Sequence, residues 1–303
     1  MKFYKALDSV KLKKYSEVDK NQFALTFYSK SGFKSSELFD KELKKKVSNF
    51  FADEKRSSLF LSKELTGLKG DFLVLRDFNK NKSEYKKYAW MKGLFANLDK
   101  YAVENAVIYA DTSHLSKDDN FLFDLAKTAE KASYRYTDTN PNTKKELILK
   151  NVSLAVESAS AAQKRVVELG YNVGSGANTA RNLGDRPANH ATPAYIANAV
   201  KGLAKDIGGF SVEILEEKDM KKLGMGCLLS VSRGSIEPAK LVTMQYKGGK
   251  KGAKPIVLVG KGVTFDTGGI SLKPPQKMDE MKWDMSGAGS VIGTMCAVAK
   301  SKL

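Results

Sequence analysis

At 303 residues with 42% hydrophobic content, the chain is long enough for two ordinary domains, and no apolar run reaches membrane-spanning length. The net charge of +17 is spread evenly, +9 over residues 1–150 and +8 over 151–303, so there is no basic tail, and nucleic-acid binding is only the alternative reading. Cys227 and Cys296 form no CxxC, and no apolar core or cleavage site follows Lys2 and Lys5; both facts suit a cytoplasmic protein with reduced thiols and no secretory signal.

In chain order, Phe23–Tyr28 is apolar and aromatic and reads as a strand. Apolar positions at 38, 39, 43, 47, 50 and 51 have helical spacing, and Lys44-Lys45-Lys46 on the same pattern reads as a solvated helix face. Phe72–Leu75 predicts an interior strand, 85–103 a helix, 106–110 a strand, and Asp118-Asp119 a cap for a helix to about Ala132. The β-α-β-α order predicts a small α/β domain over 1–145, in which His114 reads as a solvated or capping side chain. The polar stretch 137–145, with Asn140-Pro141-Asn142 as a turn, marks the boundary. Residues 146–172 read as an Ala-rich connecting helix ending near Gly170.

The second domain, 173–303, opens on Asn178–Leu183 and the Asp185–His190 loop, with His190 engaged in local backbone hydrogen bonding. Thr192 and Pro193 are an N-cap and first helical residue for a helix to about 206. Strands are expected at about 210–215, 227–232, 241–246 and 255–260, a short helix near 218–223, and a last helix at 285–298. The run 256–259, bounded by Pro255 and Gly260, has the character of a strand buried on both faces. Lys261, Asp266, Lys273 and Asp284 follow it among glycines. Singly, Asp284 reads as a helix cap and Asp266 as a turn residue. Together with two lysines beyond a buried strand they read as a site, because lone charges there would be costly. With two histidines, neither near this stretch, a His-rich zinc site is excluded, and carboxylates remain as hard ligands.

The stretch GKGVTFDTGGISLKP followed by MDEMKWDMSGAG resembles the signature of the leucine aminopeptidase (cytosol aminopeptidase) family of two-metal exopeptidases. Asp185-Arg186-Pro187-Ala188-Asn189 and Val231-Ser232-Arg233-Gly234-Ser235 are also similar to that family. The resemblance implies a catalytic domain with a central mixed sheet flanked by helices, incomplete here, since the family's Asn-Thr-Asp-Ala-Glu-Gly-Arg run is not in the sequence. It implies Lys261, Asp266 and Asp284 as ligands of two divalent ions (Mn, Zn or Mg) and Lys273 as the catalytic lysine. Lys273 and Met281 would contact substrate, though Met281 reads equally well as a core methionine. It further implies peptide substrates with a free N-terminus, bicarbonate as proton shuttle and a homo-hexamer in a full-length parent. Two carboxylates against two divalent ions lead us to expect a half-built site, inactive alone. A non-catalytic interaction module on the same fold is the other alternative.

Overall fold

The computed structural model describes residues 1, 5–20, 22–28, 39–56, 58–66, 68–76, 83–110, 118–139 and 148–303. His114 and the turn expected at 140–142 lie outside them. The chain divides into two compact units: Ala6–Arg135 with Lys145–Gly174, and Met1–Lys5 with Tyr136–Lys144 and Ser175–Leu303.

The first unit is built on six strands: β1 (Ser9–Lys14), β2 (Phe23–Tyr28), β3 (Ser58–Leu61), β4 (Phe72–Arg76), β5 (Asn105–Tyr109) and β6 (Asn151–Val156). Their order is β1-β6-β5-β2-β4-β3, parallel throughout except for β3 against β4. Parallel neighbours need crossovers, and the helices that make them cover the sheet. The helices are α1 (Lys41–Phe50), α2 (Lys63–Thr66), α3 (Glu84–Lys100) and α4 (Asp119–Ala132). The period-two alternation of the strands sorts their side chains into two cores. Leu25, Phe27, Leu73 and Ile108 pack with Leu94 and Leu125 of α3 and α4. Ala24, Val74, Val107 and Ala155 pack with Val47 of α1. Each large apolar side chain so buried contributes about 1.5–3 kcal/mol. Asp40 and Asp118 cap α1 and α4, accepting from Leu43 N at 2.7 Å and Phe121 N at 3.1 Å. Glu130 on α4 is fully buried and accepts from the amides of Ala6 (2.6 Å) and Leu7 (2.9 Å), tying the start of the unit to that helix.

The second unit holds an antiparallel pair, β7 (Phe210–Leu215) with β8 (Leu241–Tyr246), and the helices α6 (Pro193–Ile207), α7 (Glu217–Lys222), α8 (Gly226–Ser232) and α9 (Ser286–Lys300). A 3-10 helix, Met278–Met285, runs directly into α9. Thr192 caps α6 by accepting from Tyr195 N at 3.2 Å, with Pro193 at the first helical position. Val200 and Leu203 of α6 pack with Phe210, Met285, Ile292 and Cys296. Helix α5 (Ala161–Asp185) belongs to the first unit as far as Gly174 and to the second from Ser175.

Three expectations are corrected. Residues 146–172 are not one connecting helix: 151–156 form β6, paired with β1 and β5, and the helix starts at Ala161 and passes Gly170 without ending. The small alanines suggested a helix, but Val152, Leu154 and Val156 bury on one face and Ala155 on the other, as an interior strand requires. Residues 227–232, expected as a strand, are α8; a short apolar run does not by itself distinguish the two states. The run at 256–259 joins no ladder among the described residues, and Ile256 and Val259 are 92% and 91% exposed. Its composition suits a sheet interior, yet among the described residues β8 pairs with β7 alone and the run has no ladder partner.

Candidate active site

The loop that follows Val259 carries two ion pairs. Lys261 Nζ lies 2.7 Å from Asp284 Oδ1, and Lys273 Nζ lies 2.7 Å from Asp266 Oδ2. Asp266 sits in a tight turn: its Oδ1 accepts from Gly268 N at 2.9 Å, and Lys273 N donates to Thr267 O at 2.9 Å. Gly268 has φ +101°, and a side chain there would strike the Ser271 carbonyl, so only glycine serves this turn. Lys273 Nζ also lies 3.1 Å from the Asp266 carbonyl oxygen and 3.3 Å from Met281 Sδ. Its ammonium is thereby fixed by a carboxylate, a carbonyl and a thioether.

Asp284 lies in the 3-10 helix, one residue before the Met285 cap of α9, and does not itself cap that helix. Lys282 of the same turn donates to the Asp185 carbonyl at 3.5 Å, which fastens the 3-10 helix to the end of α5. Asp266 is both a turn residue and an ion-pair partner. Met281, half-buried, lies against Lys273 rather than in a hydrophobic cluster.

The two pairs sense each other. The hydrogen bond to Asp284 raises the Lys261 pKa above the ordinary lysine value, with the charges of Asp284 and Asp266 adding to it. The hydrogen bond from Lys273 holds the Asp266 carboxyl below the ordinary carboxylate range, helped by the Gly268 amide and by the charges of Lys273 and Lys261. Lys261 is the electrostatic link between the two carboxylates.

One atom is left over. Asp284 Oδ2 is buried and has no hydrogen-bond partner, an arrangement that ordinarily costs about 1–3 kcal/mol. Among the described residues no group of three or more His, Cys, Asp or Glu side chains forms, so the donors here are two carboxylates and two amines. A hard divalent cation suits carboxylate oxygens, and an orphaned carboxylate oxygen is what such an ion would satisfy. The donor set therefore fits a cation, with Lys261 able to join it only as the neutral amine. Gly287 rests against the backbone of Lys261, a contact between segments distant in sequence that no local pattern signals.

Residues 178–303 match the cytosol aminopeptidase family, catalytic domain. Through that segment the chain belongs to the cytosol aminopeptidase family. A protein of Nitrosococcus oceani described as a "Probable cytosol aminopeptidase" is 46% identical over 182 residues, covering 59% of this chain and 36% of that protein. One of Aromatoleum aromaticum with the same description is 38% identical over 260 residues, covering 83% of this chain and 52% of that protein. The chain thus spans between a third and about half of the length of these relatives. Among solved structures, a mutant of tomato leucine aminopeptidase superposes with a TM-score of 0.71 at 21% identity, over 96% of this chain and 59% of that one. At that identity the likeness is one of fold. No helix among the described residues is long and apolar enough to cross a membrane.

Proposed function

We propose that these residues form the Lys/Asp half of the active site of a metal-dependent aminopeptidase that releases N-terminal residues from peptides. The observation that carries the reading is the buried, unpartnered Asp284 Oδ2 beside the Lys261 and Asp266–Lys273 pairs. Asp266, Asp284 and Lys261 would hold a divalent ion, which when bound supplies Lewis acidity toward a peptide carbonyl and lowers the pKa of water.

The rest is done by the protein. Lys261 must release its proton to become a ligand, and at 60% exposure its amine can pass that proton to solvent. Lys273, held in place by Asp266 and Met281, acts as an electrophile toward the oxyanion that develops on the substrate carbonyl. Met281, in contact with Lys273, borders the position of the first substrate side chain. Two carboxylates offset only half the charge of two divalent ions, so residues 1–303 by themselves should not turn over.

The test is leucine release from a leucyl amide, with Mn²⁺ or Zn²⁺ added. A full-length protein containing this segment should hydrolyse the amide and lose activity to a chelator, whereas residues 1–303 alone should not. A full-length protein without chelator-sensitive turnover would overturn the reading, and comparable turnover by residues 1–303 would overturn the account of the half-site.

A further inference from the structure

The Lys261–Asp284 pair joins residues 23 positions apart on two elements, and the geometry points to what sets the distance between them. We propose that Gly260 and Gly287 are positioning residues for this pair, allowing the backbone at 260–262 to rest directly on the first turn of α9. The inference deepens the metal-site reading and rests on it, but its main test does not require a metal.

The contact is backbone against backbone. A Cβ at Gly260 would lie 2.5 Å from the Gly287 carbonyl oxygen, 2.6 Å from Ala288 Cα and 2.7 Å from Ala288 N. A Cβ at Gly287 would lie 2.8 Å from Lys261 N and 3.4 Å from Lys261 Cβ. Neither obstacle is a flexible side chain that can swing aside. The glycines also permit the hydrogen bond from Ala288 N to the Lys261 carbonyl at 2.8 Å, which locks the two segments together. Carbon atoms pack best about 3.5–4.0 Å apart, so even one methyl group at Gly260 must drive the segments apart by about 1 Å. Such a displacement moves the backbone that now sets the Lys261 amine 2.7 Å from Asp284. Functional groups generally need placement within about 0.5 Å.

Gly262 provides the contrast within the same motif. Its Cβ would lie 3.4 Å from the Ala288 methyl, an ordinary van der Waals contact. Gly260→Ala and Gly262→Ala therefore make the same chemical change two residues apart, with opposite expected outcomes. Gly287→Ala adds a further distinction. Alanine is a better helix former than glycine, so damage there cannot come from a loss of helix propensity in α9.

The experiment labels aspartate carboxyl carbons with ¹³C in residues 1–303 and follows the Asp284 resonance, using Lys261→Met to define the unpaired signal. Circular dichroism reports the fold of each variant. Gly260→Ala and Gly287→Ala should move the Asp284 resonance to the Lys261→Met position with helix content retained, while Gly262→Ala keeps the wild-type signal. If Gly260→Ala and Gly287→Ala fold and keep the wild-type signal, the proposal is overturned. Should either fail to fold, Gly262→Val applies a milder push against Ala288 and must shift the resonance part of the way; no shift there also overturns it. In a separate arm, Mn²⁺ titration followed by electron paramagnetic resonance should show at least tenfold weaker binding in Gly260→Ala and Gly287→Ala. Wild-type protein with no Asp284-dependent Mn²⁺ binding would sink the metal reading, while the carboxyl resonances still decide the positioning role.

Discussion

Lys261 reaches Asp284 through one carboxylate oxygen at 2.7 Å and leaves the other buried and unpartnered. The pair is thus a closed electrostatic contact with one carboxylate oxygen unused. Asp284→Asn halves the acidic charge of the site and should abolish measurable Mn²⁺ binding. Lys273→Ala removes the proposed oxyanion donor but no proposed ligand, so metal content should hold while kcat in a full-length protein falls by roughly 10²–10³. Elemental analysis beside steady-state kinetics separates the two, and equal metal loss in both variants contradicts the assigned roles.

The ion pairs set a pH window. The raised Lys261 pKa means its pairing contributes fully below the ordinary lysine value of 10.5 and is lost as pH rises through the raised value. The lowered Asp266 pKa means its pairing contributes above the ordinary 3.8 and is lost as pH falls through the lowered value. Between these limits both pairs are intact, and carboxyl ¹³C shifts of Asp266 should be flat. If Lys261 becomes a ligand, each bound ion releases its proton, and apparent Mn²⁺ affinity should rise by up to about tenfold per pH unit through the neutral range. A flat affinity would show that Lys261 remains protonated.

The two cysteines should react unequally. Cys227 is exposed, whereas Cys296 is buried in the α6–α9 core and burial pushes its thiol up to about 12. Thiolate is the reactive form, so iodoacetamide at neutral pH should label Cys227 and leave Cys296 unlabelled until denaturant is added. Peptide mapping that finds both labelled in native protein would contradict this packing.

Glu130 gives a stability prediction. Its side chain accepts two amides in a fully buried position, so Glu130→Leu strands one buried and one part-buried donor and should destabilise the first unit by about 2–4 kcal/mol. Urea unfolding measures it, and a change under about 0.5 kcal/mol would mean the amides find other partners.

What the sequence made legible follows from how local each signal is. Thr192 and Asp118 each act on the amide three residues on, and both helix starts were readable. So were β2, β4 and β5, whose apolar composition matches a sheet covered on both faces. The strand at 151–156 was missed because its identity comes from β1 and β5, more than 40 residues distant, rather than from its own alanines. The run at 256–259 failed the other way, having a strand's composition without a neighbour among the described residues. In the site, the residue types came from a dense motif, but the pairing of Lys261 with Asp284 and the glycine contact behind it exist only in three dimensions.

The exposed run Ile256–Val259 bears on how this polypeptide is handled. Four consecutive β-prone apolar residues in the open are a nucleus for cross-β association, and such segments are commonly flanked by gatekeepers. Here Lys254 and Pro255 stand on one side and Lys261 on the other, so charge repulsion and a missing amide oppose stacking. Lys261 would then guard solubility as well as serve the site, and any substitution that neutralises it lengthens the sticky window at its glycine end. Colloidal behaviour of Lys261 variants, above all in high salt where repulsion is screened, has to be separated from their chemistry before a loss of activity is assigned to either.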